Sequence, residues 1–393
     1  MIKVMHVITT LGPAGAETML CRIAAGMDGT RFENEIVSLR DILDQAEGMR
    51  AIGVRVRTLG MKKSVPNPLL VMRLAQWIRE SKPDVIHTWM YHANMVGALA
   101  ARLAGDVPVV WGIHHSAPDP RVDKRRTVQI NRICALMSRK FPARIVCCSE
   151  ASLRFHKQLG YAAEKLELVP NGVDLEQFRP DPVARFSVRE EVGIPTDALL
   201  IGMAARFHPQ KDHRNFIQAA EQLHKQMPGV HFLLCGLNVT WQNTRLVEWI
   251  EAAGIRDCCH LLGVRRDVAR LFAAMDIATT SSVSGEAFPV VVVEAMASRT
   301  PCVVTDVGDS ALIVDKTGSV VAPRDPDALA EAWRKLIEAG PGERQNLGMS
   351  ARRRVQQHFA LPVIVDRHQA IYAQVAARMQ RGVPAAGLSE YAR

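Results

Sequence analysis

The stretch Thr279–Val307, TTSSVSGEAFPVVVVEAMASRTPCVVTDV, decides the fold. It leaves the apolar run DIATTS (residues 276–281), crosses a short loop, enters the run Val290–Val293 and returns to an extended segment, PCVVTDVG (301–308). Proline suits a first helical position, since its fixed φ matches the helix and its missing N–H would be unpaired there anyway, so a helix is expected to start near Pro289. Strand, loop, helix and strand then form one repeat of a parallel α/β sheet. Glu286 falls in the loop and Glu294 in the second helical turn, so both acids can point into one cavity at a helix N-terminus. Free N–H groups and the positive dipole end favour phosphate or hydroxyl-bearing ligands there. Taken as an isolated pair, the two acids would be solvated surface residues. A segment this apolar argues for a task instead.

The same alternation extends in both directions. Upstream lie ALLIGMAARF (198–207), HFLLCG (231–236) and CCHLLGV (258–264), each followed by a helical pattern; downstream lies GSVVAP (318–323). Further back, IKVMHVIT (2–9), ENEIVSL (33–39), VRVRTL (54–59), DVIHTW (84–89), VPVVWGIHH (107–115) and RIVCCS (144–149) repeat the theme. Strands alternating with helices indicate doubly wound parallel sheets, whose ligands bind beyond the carboxyl ends of the strands. With 393 residues the chain exceeds one core. Two Rossmann-like domains are expected: residues 1–175 and, after the turn-rich VPNGVDLEQFRPD (169–181), residues 176–360. A helix over 361–381 follows the second sheet and is placed back on the first domain, and 382–393 form a tail. DPDALAEAWRKLIEA reads as a helix capped by Asp325.

Charge is uneven. Residues 1–190 carry 27 Lys+Arg against 19 Asp+Glu, and the remainder 22 against 21. A basic first half suits an anionic partner such as phosphate, a lipid surface or nucleic acid. Basic residues gather between Asp119 and Arg144 with Val128, Ile130, Ile133, Leu136 and Met137 interspersed, which fits either an amphipathic helix on an anionic bilayer or a solvated surface helix. Eight cysteines without C-x-x-C or Cys/His spacing read as core residues in a reducing compartment, and no metal site is expected. The N-terminal apolar run is too short for a signal peptide and no run reaches the ~18 residues of a membrane span, so a cytoplasmic protein, at most peripheral to the inner face of the cell membrane, is expected.

Three further candidates sit at strand ends. Gly12 and Gly15 follow the first strand, where a backbone turn can approach a ligand, although the spacing is not G-x-G-x-x-G. His114 and His115 follow VVWGI; each is either a structural histidine or a site residue. Arg206 and Lys211, in RFHPQKD, follow ALLIGMA; a guanidinium and an ammonium five residues apart suit two adjacent phosphates, or are solvated loop cations. In a parallel sheet the ends of ALLIGMA and DIATTS open on the same side, which favours one site shared with the two acids.

With these residues placed, the chain resembles the retaining glycosyltransferases of family 4, a group with the GT-B fold of two Rossmann-like domains facing across a cleft. The resemblance rests on the GAE turn at 15–17, the histidine after VVWGI, VPNGVD, RFHPQKD, LLGVRRDV (261–268) and the E-x7-E spacing of SGEAFPVVVVE. It implies that Glu286 accepts hydrogen bonds from donor-sugar hydroxyls and that Glu294 holds the ribose. Arg206 and Lys211 would neutralise the leaving diphosphate without a metal. The backbone at Phe288 and Val290 would meet the sugar or its phosphate, Gly15 would bring the first domain's backbone to that phosphate, and the base would lie against Val264 and Arg265. His114, or His115 with the register shifted by one, would lie by the sugar. Ala287 stands where glycine is common, Pro289 has no N–H to offer, and Arg299 replaces a usual glycine. The implied co-substrate is a nucleotide-sugar, UDP- or GDP-linked, with no cofactor; the implied acceptor is a glycan or lipid-linked glycan of surface polysaccharide or lipopolysaccharide assembly, with peripheral contact to an anionic membrane. Alternatives are a nucleotide-sugar 2-epimerase of similar fold and a non-catalytic nucleic-acid-binding protein; few aromatics and a modest charge excess disfavour the latter.

Overall fold

A computed structural model describes residues 1–12, 15–61, 67–116 and 125–380. The chain forms two compact units, one of Met1–Gly172 with the chain from Leu361 onward, the other Val173–Ala360. The boundary lies three residues before the expected 175/176, because Val173 N–H donates to Phe359 O (2.9 Å) and Val173 bridges Ala360, which ties the start of the second unit to its own last residues.

The first unit holds β1 (Ile2–Ile8), β2 (Phe32–Ser38), β3 (Arg55–Thr58), β4 (Val85–Trp89), β5 (Val109–Ile113), β6 (Pro142–Cys147) and β7 (Leu166–Leu168) in the order 3-2-1-4-5-6-7, all pairs parallel. Parallel strands covered on both faces need apolar side chains in both directions, which is why β4 and β5 are buried at every residue. On one face Met5, Val7, Ile86, Trp111 and Ile145 pack against helices Pro68–Ser81, Met90–Leu103 and Arg125–Ser138. On the other, Val4, Ile8, Ile36, Trp89 and Val110 share a core with Ile364, Val365, Ile371, Tyr372 and Val375 of the last helix, Leu361–Gln380.

The second unit holds β8 (Leu199–Ala204), β9 (Val230–Cys235), β10 (Cys259–Leu261), β11 (Ile277–Thr280), β12 (Cys302–Thr305) and β13 (Gly318–Val321) in the order 10-9-8-11-12-13, again parallel. The strand order reverses between β1 and β4 in one sheet and between β8 and β11 in the other, the points where such sheets open a ligand crevice beyond their carboxyl ends.

Some elements had no clear sequence signal. β7 is three residues long at a sheet edge. Helix Gly340–His358 carries internal glycines that lower its propensity; a Cβ at Gly348 would lie 2.0 Å from Arg299 O, so a neighbouring carbonyl requires the glycine. Of the basic stretch, Arg125–Ser138 is helical, while Asp119, Arg121, Asp123 and Lys124 fall outside the described residues. The tail over 382–393 also lies outside them. All eight cysteines are buried and free. Among the described residues no cluster suits a metal ion and no helix is long and apolar enough to cross a membrane.

Candidate active site

The loops after β8 and β11 are joined at the switch point of the second sheet. After β8 the chain passes Arg206 and turns through a short 3-10 segment, Pro209–Lys211, whose start is capped by the His208 side chain. Asp212 takes a left-handed φ of 42° and caps helix His213–Gln226 by accepting from Asn215 N–H (3.3 Å). This turn directs Lys211 to Glu286, whose Oε1 accepts from Lys211 Nζ in a close ion pair. Ser282 Oγ donates to the same oxygen (2.7 Å). Ser281 Oγ donates to the carbonyls of Lys211 (2.8 Å) and Asp212 (3.0 Å), and Val283 N–H donates to Gln210 O (2.9 Å). Thr305 Oγ1 at the end of β12 holds Ser282 O (2.7 Å) from the other side.

Two glycines let these backbones meet. At Gly308 (φ 62°) a Cβ would lie 2.3 Å from Glu286 O, an approach that L side chains do not allow, and at Gly285 the φ of 72° favours glycine while a Cβ would press on the end of the Gln210 side chain (Nε2, 2.5 Å). The Glu286 loop is thus clamped between the turn after β8 and the end of β12. Lys211 and Glu286 are mostly buried (side chains 19 % and 12 % exposed), so their attraction is less screened than at an open surface.

Arg206 is exposed, with no hydrogen bond or ion pair among the described residues. It acts on the same place nonetheless: His208 has a lowered pKa first through burial, then through the charges of Arg206 and Lys211. Pro289 takes the N-cap position, its ψ of 92° being extended, so the helix, Val290–Ala297, begins one residue after it. Phe288 is buried with its ring on Phe359 (5.5 Å), which anchors the backbone between the two acids. Glu294 is half-buried in the second turn, away from the Lys211–Glu286 contact in the chain by eight residues. Val264 is exposed, while Arg265 is committed to Asp267 (Nε to Oδ1 2.7 Å, Nη2 to Oδ2 2.7 Å) and Glu191 (2.5 Å), which raises its pKa and depresses that of Asp267. The Arg265 guanidinium is thus taken up by carboxylates, while its backbone and the Val264 side chain are not.

In the first unit, Gly15 opens helix Gly15–Gly26, and a Cβ there would meet nothing within 4 Å, so no protein contact demands glycine. His114 stacks on Trp89 (4.8 Å, 19° between planes). Both its ring nitrogens are buried and lack a hydrogen bond, as does Asn171 Oδ1. Burial lowers its pKa to about 4, with the Asn171 side chain opposing, so the ring is neutral at physiological pH. His115 lies instead by Tyr91 (6.4 Å) and next to His156, in different company from His114.

Sequence reasoning did not single out Ser281, Ser282, Gln210, Thr305 or Asn171, which build or flank these positions. Hydroxyls after a strand carry no signal of their own. His368 and Tyr372, one helical turn apart on the last helix, join His87 beside Trp89, and no local pattern links the three.

Two Rossmann-like domains, each a doubly wound parallel sheet, are the architecture of the GT-B group. The chain belongs to the group 1 glycosyltransferases: the family description "Glycosyl transferases group 1" matches residues 185–354, and "Glycosyltransferase Family 4" matches 13–177. It is 30 % identical over 332 residues to the D-inositol 3-phosphate glycosyltransferase of Xylanimonas cellulosilytica, covering 78 % of this chain and 76 % of that one. It is 24 % identical over 342 residues to the UDP-Gal:alpha-D-GlcNAc-diphosphoundecaprenol alpha-1,3-galactosyltransferase of Escherichia coli (85 % and 86 % covered). The fold matches Anabaena Alr3699/HepE, solved in complex with UDP, with a TM-score of 0.84 at 23 % identity over 95 % of this chain and all of that one.

Proposed function

We propose that this protein moves a sugar from a UDP- or GDP-sugar to a glycan or lipid-linked glycan, with retention at the anomeric carbon and without a metal. The observation that carries this reading is the Lys211–Glu286 pair held at the switch point, with Arg206 on the same loop after β8. Glu286 holds Lys211 in a close ion pair. When a diphosphate arrives, Lys211 and Arg206 turn to its oxygens, and Glu286 is released to accept hydrogen bonds from sugar hydroxyls. The anomeric C–O bond to phosphate breaks with its electron pair leaving on the diphosphate, where the two cations stabilise the developing charge. The acceptor oxygen bonds to the anomeric carbon on the same face, and its proton passes to a phosphate oxygen. Glu294 takes the ribose hydroxyls, the backbone of Phe288 and Val290 meets the sugar or its phosphate, with Pro289 contributing shape but no N–H, and the backbone at Val264 and Arg265 receives the base. Gly15 and neutral His114 contribute from the first unit, Gly15 by close backbone approach and His114 by hydrogen bonding to the sugar.

The names of relatives support the donor and acceptor classes: the Escherichia coli relative is named for UDP-Gal and a diphosphoundecaprenol-linked sugar, and the Anabaena neighbour holds UDP. Surface polysaccharide or lipopolysaccharide assembly at the inner membrane face fits that chemistry. Helices Pro68–Ser81, Met90–Leu103 and Arg125–Ser138 pack side by side, and each exposes both an apolar residue and an arginine, Leu69 (70 %) and Met72 with Arg73, Leu103 with Arg102, and Leu136 (79 %) with Arg132, a composition suited to anionic lipid.

Donor-dependent transfer tests the chemistry. Folded Arg206→Ala protein should turn over roughly 10²-fold more slowly; a normal rate would end this reading. Flotation with anionic vesicles at low salt tests the membrane contact, and absence of the protein from the vesicle fraction would remove it.

A further inference from the structure

The histidine read as sugar-facing does not stand alone. Tyr372, on the last helix, is hydrogen-bonded through its hydroxyl to His87 Nδ1 at 2.6 Å, both groups fully buried. From His87 two routes lead to His114. One is through rings: His87 lies 4.5 Å from Trp89, and Trp89 stacks on His114. The other is through the backbone: a Cβ on Gly112 would sit 2.9 Å from His87 Nε2 and 3.8 Å from His114 Cδ2, so the His87 ring rests on the strand two residues before His114. Trp89 is held from its far side as well. Its indole N–H donates to His6 Nδ1 (3.4 Å), which makes the other His6 nitrogen the protonated one, donating to Asn34 Oδ1 (3.0 Å).

We infer that Tyr372 is a positioning residue for His114, fixing the His87 ring and through it the Trp89 platform and the Gly112 backbone that set where the His114 imidazole points. This rests on the reading that His114 works at the sugar. A helix that follows the whole second unit in sequence thereby completes a site in the first. Among the described residues, His87 and His368 act on His114 through charge, His6 and Tyr372 lie against His87, and His115 follows it in the chain.

The test uses full-length Tyr372→Phe and Gly112→Ala proteins, the latter pushing on the same His87 ring from the strand side, with His114→Ala as reference. Affinity for UDP, melting temperature, and kcat over a pH series are measured for each. Positioning requires kcat to fall about tenfold or more while UDP affinity stays within about twofold, since a displaced group loses rate without losing ground-state binding. It also requires the acid limb of kcat to move to higher pH, because a loosened cluster admits water and His114 regains its ordinary affinity for protons. Wild-type kcat in both variants, or a loss that only tracks the melting temperature with the acid limb unmoved, overturns the inference. If His114→Ala itself transfers sugar normally, the reading of His114 fails instead, and the two failures are told apart.

Discussion

Acidification from about pH 7.5 to about pH 5 should strip the first unit of roughly 6 kcal/mol of stability, a sum that follows from three histidines buried without charge. His6 and His156 are fully buried and His368 nearly so. Burial lowers their pKa values from the ordinary 6.5 to about 4, about 4 and about 3 respectively. These groups are depressed cations, so the unfolded chain takes up protons below about pH 6.5 while the folded one does not until about pH 4. Stability is therefore fully present above the ordinary value and is lost as pH falls below it. At about pH 5 each ring forfeits ~2 kcal/mol, since one pKa unit corresponds to ~1.36 kcal/mol. His114, lowered by burial to about 4, and His87, lowered first by burial and then by His6, His368 and His114, add in the same direction. The total is comparable with the whole stability of an ordinary domain, ~5–15 kcal/mol. Urea unfolding at the two pH values reads the loss, and histidine ring proton resonances read the titration. Rings that titrate near pH 6.5 in the folded protein, or a loss below ~2 kcal/mol, would refute the reasoning.

Lys211→Ala should lower kcat roughly 10²-fold and weaken nucleoside diphosphate binding, with steady-state kinetics and calorimetry as the checks. Glu286→Gln should keep diphosphate affinity but lose rate for the full donor, so that the ratio of UDP to UDP-sugar affinity shifts toward UDP. Gly308→Ala should destabilise the second unit by ~2 kcal/mol or more, because its left-handed φ and the Glu286 carbonyl 2.3 Å from the added Cβ both oppose it; the urea midpoint measures this. In a thermal-shift screen of UDP, GDP, ADP and their sugars, the true donor nucleotide should raise the midpoint, since a ligand that binds only the folded state stabilises it.

Local pattern carried the fold. Apolar runs such as VVWGI and LLIGMA, separated by helical periods, specify buried parallel strands wherever they occur, because strand and helix periodicities are properties of neighbouring residues. For the same reason Glu286, Glu294, Arg206 and Lys211 could be placed near strand ends and a helix start from the chain alone. Tertiary structure alone decided which of them touch: Lys211 and Glu286 lie 75 residues apart and meet because Gly285 and Gly308 allow three loops to close on one another. The His87–Tyr372 hydrogen bond spans 285 residues and depends on the last helix covering the first sheet. Periodicity registers burial but not the identity of what lies across the core, so a histidine with an ordinary neighbourhood in the chain becomes one member of a buried cluster only when packing brings the others to it.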